Sequence, residues 1–316
     1  MAVVRSALNL LVRLGVAVLA VTALLTALIR LVPGDPAAIL LGIKASPEAI
    51  AALHKKMGLD APYFQNLLEV WRRLLAGDMG SSLVNGQPVT AIVFPALEIT
   101  LSLVALTILI SVTFGLAAGL LISGRTRAAG RSLVSALVTV GLAIPPVVAG
   151  MVLILVVALG AGFAPAGGWP GEWPDNLGYV WLPSVALALG LVPYVIRAVV
   201  QAADGVNRST FVDAAVTRGI APIGITIRHV LPNSLVTLIT LIGYTVTTLL
   251  GGAVVVEAVF GIPGLGGVLL SAVASRDIPV ITGVAVCVTV AAVLANGLSE
   301  VITSVIDPRV RRTGHS

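Results

Sequence analysis

An all-α, polytopic membrane fold with six transmembrane helices is what this sequence predicts, and three observations predict it. Hydrophobic residues make up 58% of the 316-residue chain and charged residues only 10%, and mean hydropathy is +1.07. A soluble domain of this size could not hide so much apolar surface without large exposed patches, whereas a bilayer is itself an apolar solvent. The apolar residues gather into six runs, each near the roughly 20 residues that cross the hydrocarbon. Basic residues then fall in the loops on one side of those runs.

The first run, Leu8 to Val32, is preceded or entered by Arg5 and Arg13, and no small-residue cleavage site follows it. It reads as an uncleaved first span rather than a signal peptide. Between Pro33 and Pro95 lies a segment with its own structure. Ser46-Pro47-Glu48 reads as an N-cap followed by proline at the first helical position, which predicts a helix ending near Gly58. A second, amphipathic helix is predicted over Tyr63 to Ala76, with Leu67, Leu68, Trp71, Leu74 and Leu75 on one side. It is expected to lie against the outer membrane face or the neighbouring spans. The remaining spans are Leu97 to Ile122, Leu133 to Leu159, Val180 to Val200, Leu235 to Val256 and Val280 to Ile306. Pro145 and Pro146 interrupt the third and Pro193 the fourth. Such breaks serve either as plain kinks or as bends around a cavity. The one cysteine, Cys287, lies in an apolar run and has no internal disulfide partner.

An even number of spans puts both termini on one side, and the arginines choose it. Arg125, Arg127 and Arg131 fill the loop between spans two and three, and Arg208, Arg218 and Arg228 the loop between spans four and five. Arg309, Arg311 and Arg312 follow span six, whereas the opposite short loops hold only Arg276. By the positive-inside rule both termini and the loop around Asp213 face the cytoplasm. The segment with Lys44, Lys55, Lys56, Arg72 and Arg73 is then outside; long loops weigh little in the rule, and this one is also acidic. The net charge of +5 belongs to this pattern and not to nucleic-acid binding.

Several chemistries are missing. A phosphate-binding Gly-x-x-x-x-Gly-Lys loop needs a lysine, and the three lysines all lie between Lys44 and Lys56. An ATP-driven process would therefore draw on another polypeptide. His54, His229 and His315 are scattered and form no metal-ligand set. Glu98 and Glu300 sit near span ends and Glu257 at a boundary, so no carboxylate marks the bilayer midplane as a proton-coupled carrier would need.

One long polar interruption between two apolar runs is Phe211 to Asn233, two short helix-sized segments broken by glycine and proline. Each is too short to be stable alone, since roughly a dozen residues are needed. With no second soluble domain in the chain to dock on, the segment reads as a docking site for another subunit.

Within it, Asp213-Ala214-Ala215, then Gly219 after three residues and His229-Val230-Leu231-Pro232 after nine more, resembles the coupling-loop signature of bacterial ABC importer permeases. More narrowly it is similar to the dipeptide/oligopeptide/nickel permease family. Leu31-Val32-Pro33-Gly34-Asp35-Pro36, Gly77-Asp78-Met79-Gly80-Ser81-Ser82, Val256-Glu257 through Phe260 to Pro263-Gly264-Leu265-Gly266, Arg276-Asp277-Ile278-Pro279 and Asp307-Pro308-Arg309 follow in the family's order. Asp213 stands where the family usually has glutamate, keeping the carboxylate on a shorter stem.

The resemblance implies a type I ABC importer permease fold occupying 1–316 as one transmembrane domain, with 33–95 as an extracytoplasmic insertion and 203–233 as the cytoplasmic coupling loop. It implies that Asp213, Ala214, Ala215, Arg218, Gly219, His229, Leu231 and Pro232 form the ATPase-coupling site. The implied partners are a homologous second permease, two cytoplasmic ABC ATPases that bind ATP and Mg, and an extracytoplasmic solute-binding protein, in a bacterial inner membrane. The chain itself would be non-catalytic, with no cofactor. Di- or oligopeptides are the expected cargo; nickel or another small solute, or a self-contained secondary carrier, are the alternatives.

Two further groups of residues carry competing readings. Thr237, Thr240, Tyr244, Thr247 or Thr248, and Gly251 recur at three- and four-residue steps on one helix face. They are an uncharged wall of a translocation path, or a packing face whose hydroxyls bond back to their own helix. Trp169 and Trp173 stand in a Gly- and Pro-rich outer stretch similar to loops that contact a solute-binding protein. Tyr179 and Trp181 fit an interfacial aromatic belt.

Overall fold

A computed structural model describes residues 2–31, 37–38, 46–57, 60–123, 136, 138–139, 141, 143–171 and 174–306. The stretch 33–36, Lys44, the arginines at 125, 127 and 131, Trp173 and everything from Asp307 onward lie outside the described residues. The helices are α1 (Ala2–Leu31), α2 (Pro47–Met57), α3 (Tyr63–Leu75) and α4 (Val89–Ser123). Then come α5 (Pro146–Leu153), continued by a π-helical turn Ile154–Gly160, α6 (Leu177–Asn207) and α7 (Thr210–Thr217). Finally α8 (Pro222–Ile225) leads through a π-helical turn Thr226–Val230 into α9 (Leu231–Phe260), followed by α10 (Leu265–Ala274) and α11 (Ile278–Ile306).

Five stretches among the described residues are long and apolar enough to cross a membrane: Leu8–Leu31, Val89–Ser123, Leu177–Asn207, Ile223–Phe260 and Ile278–Thr303. The expected third span is described only in part, as helical residues between 136 and 143 and the apolar stretch Pro146–Gly160 beyond a break at Pro145. The helices overrun the predicted spans because hydropathy marks where lipid begins, while hydrogen bonding carries a helix past that point. α10 was not expected at all. Its glycine-rich start hid it, and one N–H of its first turn is met by Thr100, whose Oγ1 accepts from Leu265 at 2.9 Å.

The chain divides into two compact units, 1–100 with 263–294 and 101–262 with 295–316, so α4 and α11 contribute residues to both. In the first, the local signals act as read. Ser46 Oγ accepts the Ala49 N–H at 3.2 Å, capping α2 at Pro47. The Glu48 carboxyl is held below its ordinary range, first by a backbone hydrogen bond and then by Ser46. α3 settles on α1 through named contacts: Tyr63 donates to the Ala23 carbonyl at 2.9 Å and Trp71 Nε1 to Thr22 Oγ1 at 2.9 Å. A core of Val89, Val93 and Ala96, Leu265 and Ala272, and Val280, Val284 and Cys287 joins α4, α10 and α11. Two distant stretches also meet here. Asp277, almost fully buried, accepts from Ser82 Oγ and from the Leu83 N–H at 3.1 Å, clasping the 77–88 turn to the start of α11.

In the second unit, small residues let helices approach closely, as packing without a hydrophobic drive requires. A Cβ on Gly115 or Gly119 of α4 would meet Val195 or Val199 of α6 at 2.5–2.6 Å. Ser184 Oγ donates to the Val180 carbonyl at 2.8 Å, beside α4, so the hydroxyl stays satisfied inside the packed pair.

Candidate functional site: the 208–233 loop and the polar face of α9

α6 ends at a turn in which the Ser209 N–H donates to the Val206 carbonyl at 3.0 Å, and α7 begins at once. α7 is eight residues long and does not stand alone. Val212 and Ala215 pack with Ala203 and Val206 of α6, Ile225 and Val230 of the next helix, and Leu120 of α4. The sequence reading expected no surface within the chain for this segment; the structure supplies one for its apolar side. The opposite side is open: Ala214, Thr217, Arg218, Gly219 and Ile220 are exposed. Asp213 lies within α7, on its second turn by position. α7 ends as glycine allows: Gly219 has φ +78 and the Ile220 N–H returns to the Ala215 carbonyl at 3.1 Å.

The second helical segment was expected to be separate and is not. α8 runs through its π-turn into α9 as one helix, Ile223–Phe260. Pro232 is the cause. It has no N–H to donate, and its ring crowds the carbonyl four residues back. Widening the preceding turn relieves this, and the Leu231 N–H bonds to the Thr226 carbonyl, five residues back. His229 is half-buried in that turn, and its carbonyl accepts Asn233 Nδ2 at 2.8 Å. Ile223, Arg228 and Ile227 are exposed. α6, α7 and the foot of α9 are thus held by one shared cluster, with Leu231 and Pro232 where that cluster passes into the long helix.

Along α9, the buried side carries Ser234, Leu238, Gly243, Val246, Leu249 and Leu250. Thr237, Thr240, Tyr244, Thr247, Thr248 and Gly251 are all exposed, and Tyr244 is 76% so. Part of the packing reading is visible too: Thr237 and Thr240 donate back to the carbonyls of Asn233 and Val236 at 3.1 and 3.3 Å. Sequence reasoning missed the neighbour of this face. The hydroxyls of Thr240 and Thr303 lie 3.4 Å apart, and Asn296 Nδ2 reaches Thr247 Oγ1 at 3.5 Å. α11 therefore runs antiparallel beside the threonine row. Asn296, Glu300 and Thr303 fall at i, i+4 and i+7, a spacing that was present in the last apolar run and could have revealed them. The α9 face itself carries no charge, as expected; an exposed carboxylate, Glu300, lies on the adjoining helix α11.

In the Gly- and Pro-rich stretch before α6, Trp169 is half-buried. The adjacent glycines sit on the end of α9, where the Gly168 N–H donates to the Phe260 carbonyl at 3.1 Å and a Cβ on Gly167 would lie 2.4 Å from that oxygen. Among the described residues no group of three or more His, Cys, Asp or Glu is placed to hold a metal.

Residues 111–312 match the family described as the binding-protein-dependent transport system inner membrane component, and residues 3–104 match the N-terminal part of such membrane components. The chain belongs to this permease family. Relatives agree along nearly the whole length. A probable peptide ABC transporter permease of Sinorhizobium fredii is 31% identical over 90% of this chain and 92% of its own. A putative peptide transport system permease of Brucella abortus is 29% identical over 94% and 96%. A glutathione transport system permease of Salmonella choleraesuis is 29% identical over 93% and 94%. The permease is thus a multi-pass inner-membrane transport component of an all-α fold, as its apolar helices require.

Proposed function

We propose that this permease is one of two transmembrane subunits of an ATP-driven importer of di- or oligopeptides. The observation that carries the cargo class is the agreement of full-length relatives whose names specify peptides or glutathione, itself a tripeptide. The partners are a homologous permease, two cytoplasmic ATPases holding ATP and Mg, and an extracytoplasmic solute-binding protein. Both termini and the 208–233 loop face the cytoplasm, on the arginine asymmetry.

The loop geometry supports a lever. α7 offers Ala214, Thr217 and Arg218 outward and fastens Val212 and Ala215 inward, onto α6 and the foot of α9. A groove in the ATPase that grips the outer side would move two spans together, because a packed cluster shifts as a unit. The exposed face of α9 then forms this chain's half of the path. Tyr244 is 76% exposed, and its hydroxyl and those of the threonines can meet water or cargo even where Thr237 and Thr240 also bond back to their own helix.

The test is reconstitution of the two permeases and two ATPases in liposomes with the binding protein outside. ATP should drive accumulation of a labelled tripeptide, unlabelled di- and tripeptides should compete, and nickel should not. The isolated chain should turn over no ATP. Accumulation by this chain alone under an ion gradient would establish a secondary carrier instead.

A further inference from the structure

We infer that Glu300 is a specificity-determining contact of the path, a carboxylate that receives the protonated amino group of a peptide cargo. The inference rests on the reading of the α9 face as path wall. Its position follows from two cross-helix pairs, Thr240 with Thr303 and Thr247 with Asn296. Both fit one antiparallel register, which sets Glu300 level with Gly243 and Tyr244 in the middle of the threonine row. The approach is close there. A Cβ on Gly243 would stand 2.3 Å from Ser299 Cβ, and Ser299 Oγ donates to the Ile239 carbonyl at 2.6 Å. With Ser299 turned into α9, the next residue is carried round toward the face shared by Asn296 and Thr303.

The surroundings give that carboxylate its meaning. Glu300 is exposed, within the apolar span Ile278–Thr303. It is the only charged residue of α11, and α9 has none from Leu231 to Val256. A charge on a membrane helix is costly against lipid and is tolerated where the helix faces protein or a water-filled path. On that register hydroxyls and an exposed phenol stand level with it, and these can solvate a passing ammonium. Every peptide with a free amino end brings one such ammonium, whatever its side chains. One carboxylate in a wall of neutral hydroxyls would therefore recognise the class without choosing among its members.

The experiment uses the whole importer in proteoliposomes and two cargoes, trialanine and N-propionyl-dialanine, which lacks only the amino group. Both are loaded on the binding protein to equal occupancy. Uptake by each variant is divided by wild-type uptake of the same cargo, so the binding protein's own preference cancels. Glu300→Gln should cut trialanine uptake about tenfold, the scale of one charge-assisted hydrogen bond, and leave the propionyl peptide within about twofold. Glu300→Asp should recover much of the loss. Equal losses for both cargoes, no loss for either, or failure of Glu300→Gln to assemble with its partners would overturn the assignment. Thr240→Trp, measured alongside, keeps the two readings apart. If it slows both cargoes while Glu300→Gln spares both, only the Glu300 contact falls; if it too is harmless, the path reading falls.

Discussion

Gly219→Val is expected to uncouple ATP hydrolysis from peptide uptake, lowering uptake about tenfold or more while the spans still insert and the binding protein still holds its cargo. Gly219 has φ +78, where an L-residue costs roughly 1–2 kcal/mol and a β-branched one more. Nothing lies within 4 Å of a Cβ built there, so the effect is conformational and not a clash. The valine would favour a different turn at the end of α7 and release the Ile220-to-Ala215 hydrogen bond that closes it. α7 would then present Ala214 and Arg218 to the ATPase at a wrong angle. Gly219→Asn is the control: asparagine tolerates the left-handed region, and its uptake should stay near wild type. Both rates are read from the same proteoliposomes. Normal uptake per ATP in the valine variant would remove the loop from the coupling path.

Thr240→Trp is expected to slow uptake about tenfold with the complex intact. Thr240 is exposed on α9, so an indole can be added without entering the core of its own unit; on the proposed path reading it would fill the space that cargo needs. Leu238→Trp makes the contrast. Leu238 is 1% exposed, and overpacking a buried site costs about 1–3 kcal/mol, so that variant should lose thermal stability as a purified complex. If Thr240→Trp behaved like Leu238→Trp, the face would belong to a packed interface.

How much of this was legible depended on the range of the interaction. The α2 cap at Ser46 and Pro47 and the left-handed Gly219 are set by neighbours a few residues away, and both could be read directly. The fusion of α8 with α9 was missed because Pro232 signals a break. A π-turn absorbs a proline without one, and nothing in the local pattern announces that choice. The seating of α7 needed Ala203, Val212 and Val230 brought together from three elements. Asp277 lies 195 residues from Ser82, and only the folded chain shows that the two quoted stretches clasp each other. Glu300 was read as a charge near a span end, and it does lie three residues before the end of the apolar stretch Ile278–Thr303. Its register against Thr240 and Thr247 is a tertiary fact.

The coupling claim is tested most directly by a photo-crosslinking residue at Ala214, exposed on the outer side of α7, in the assembled importer. An adduct with a cytoplasmic ATPase subunit is expected, with a yield that changes between the nucleotide-free and ATP-bound states. An importer active in uptake that gives no ATPase adduct from this position, or one in which position 214 is reached by an impermeant reagent from outside, would contradict it.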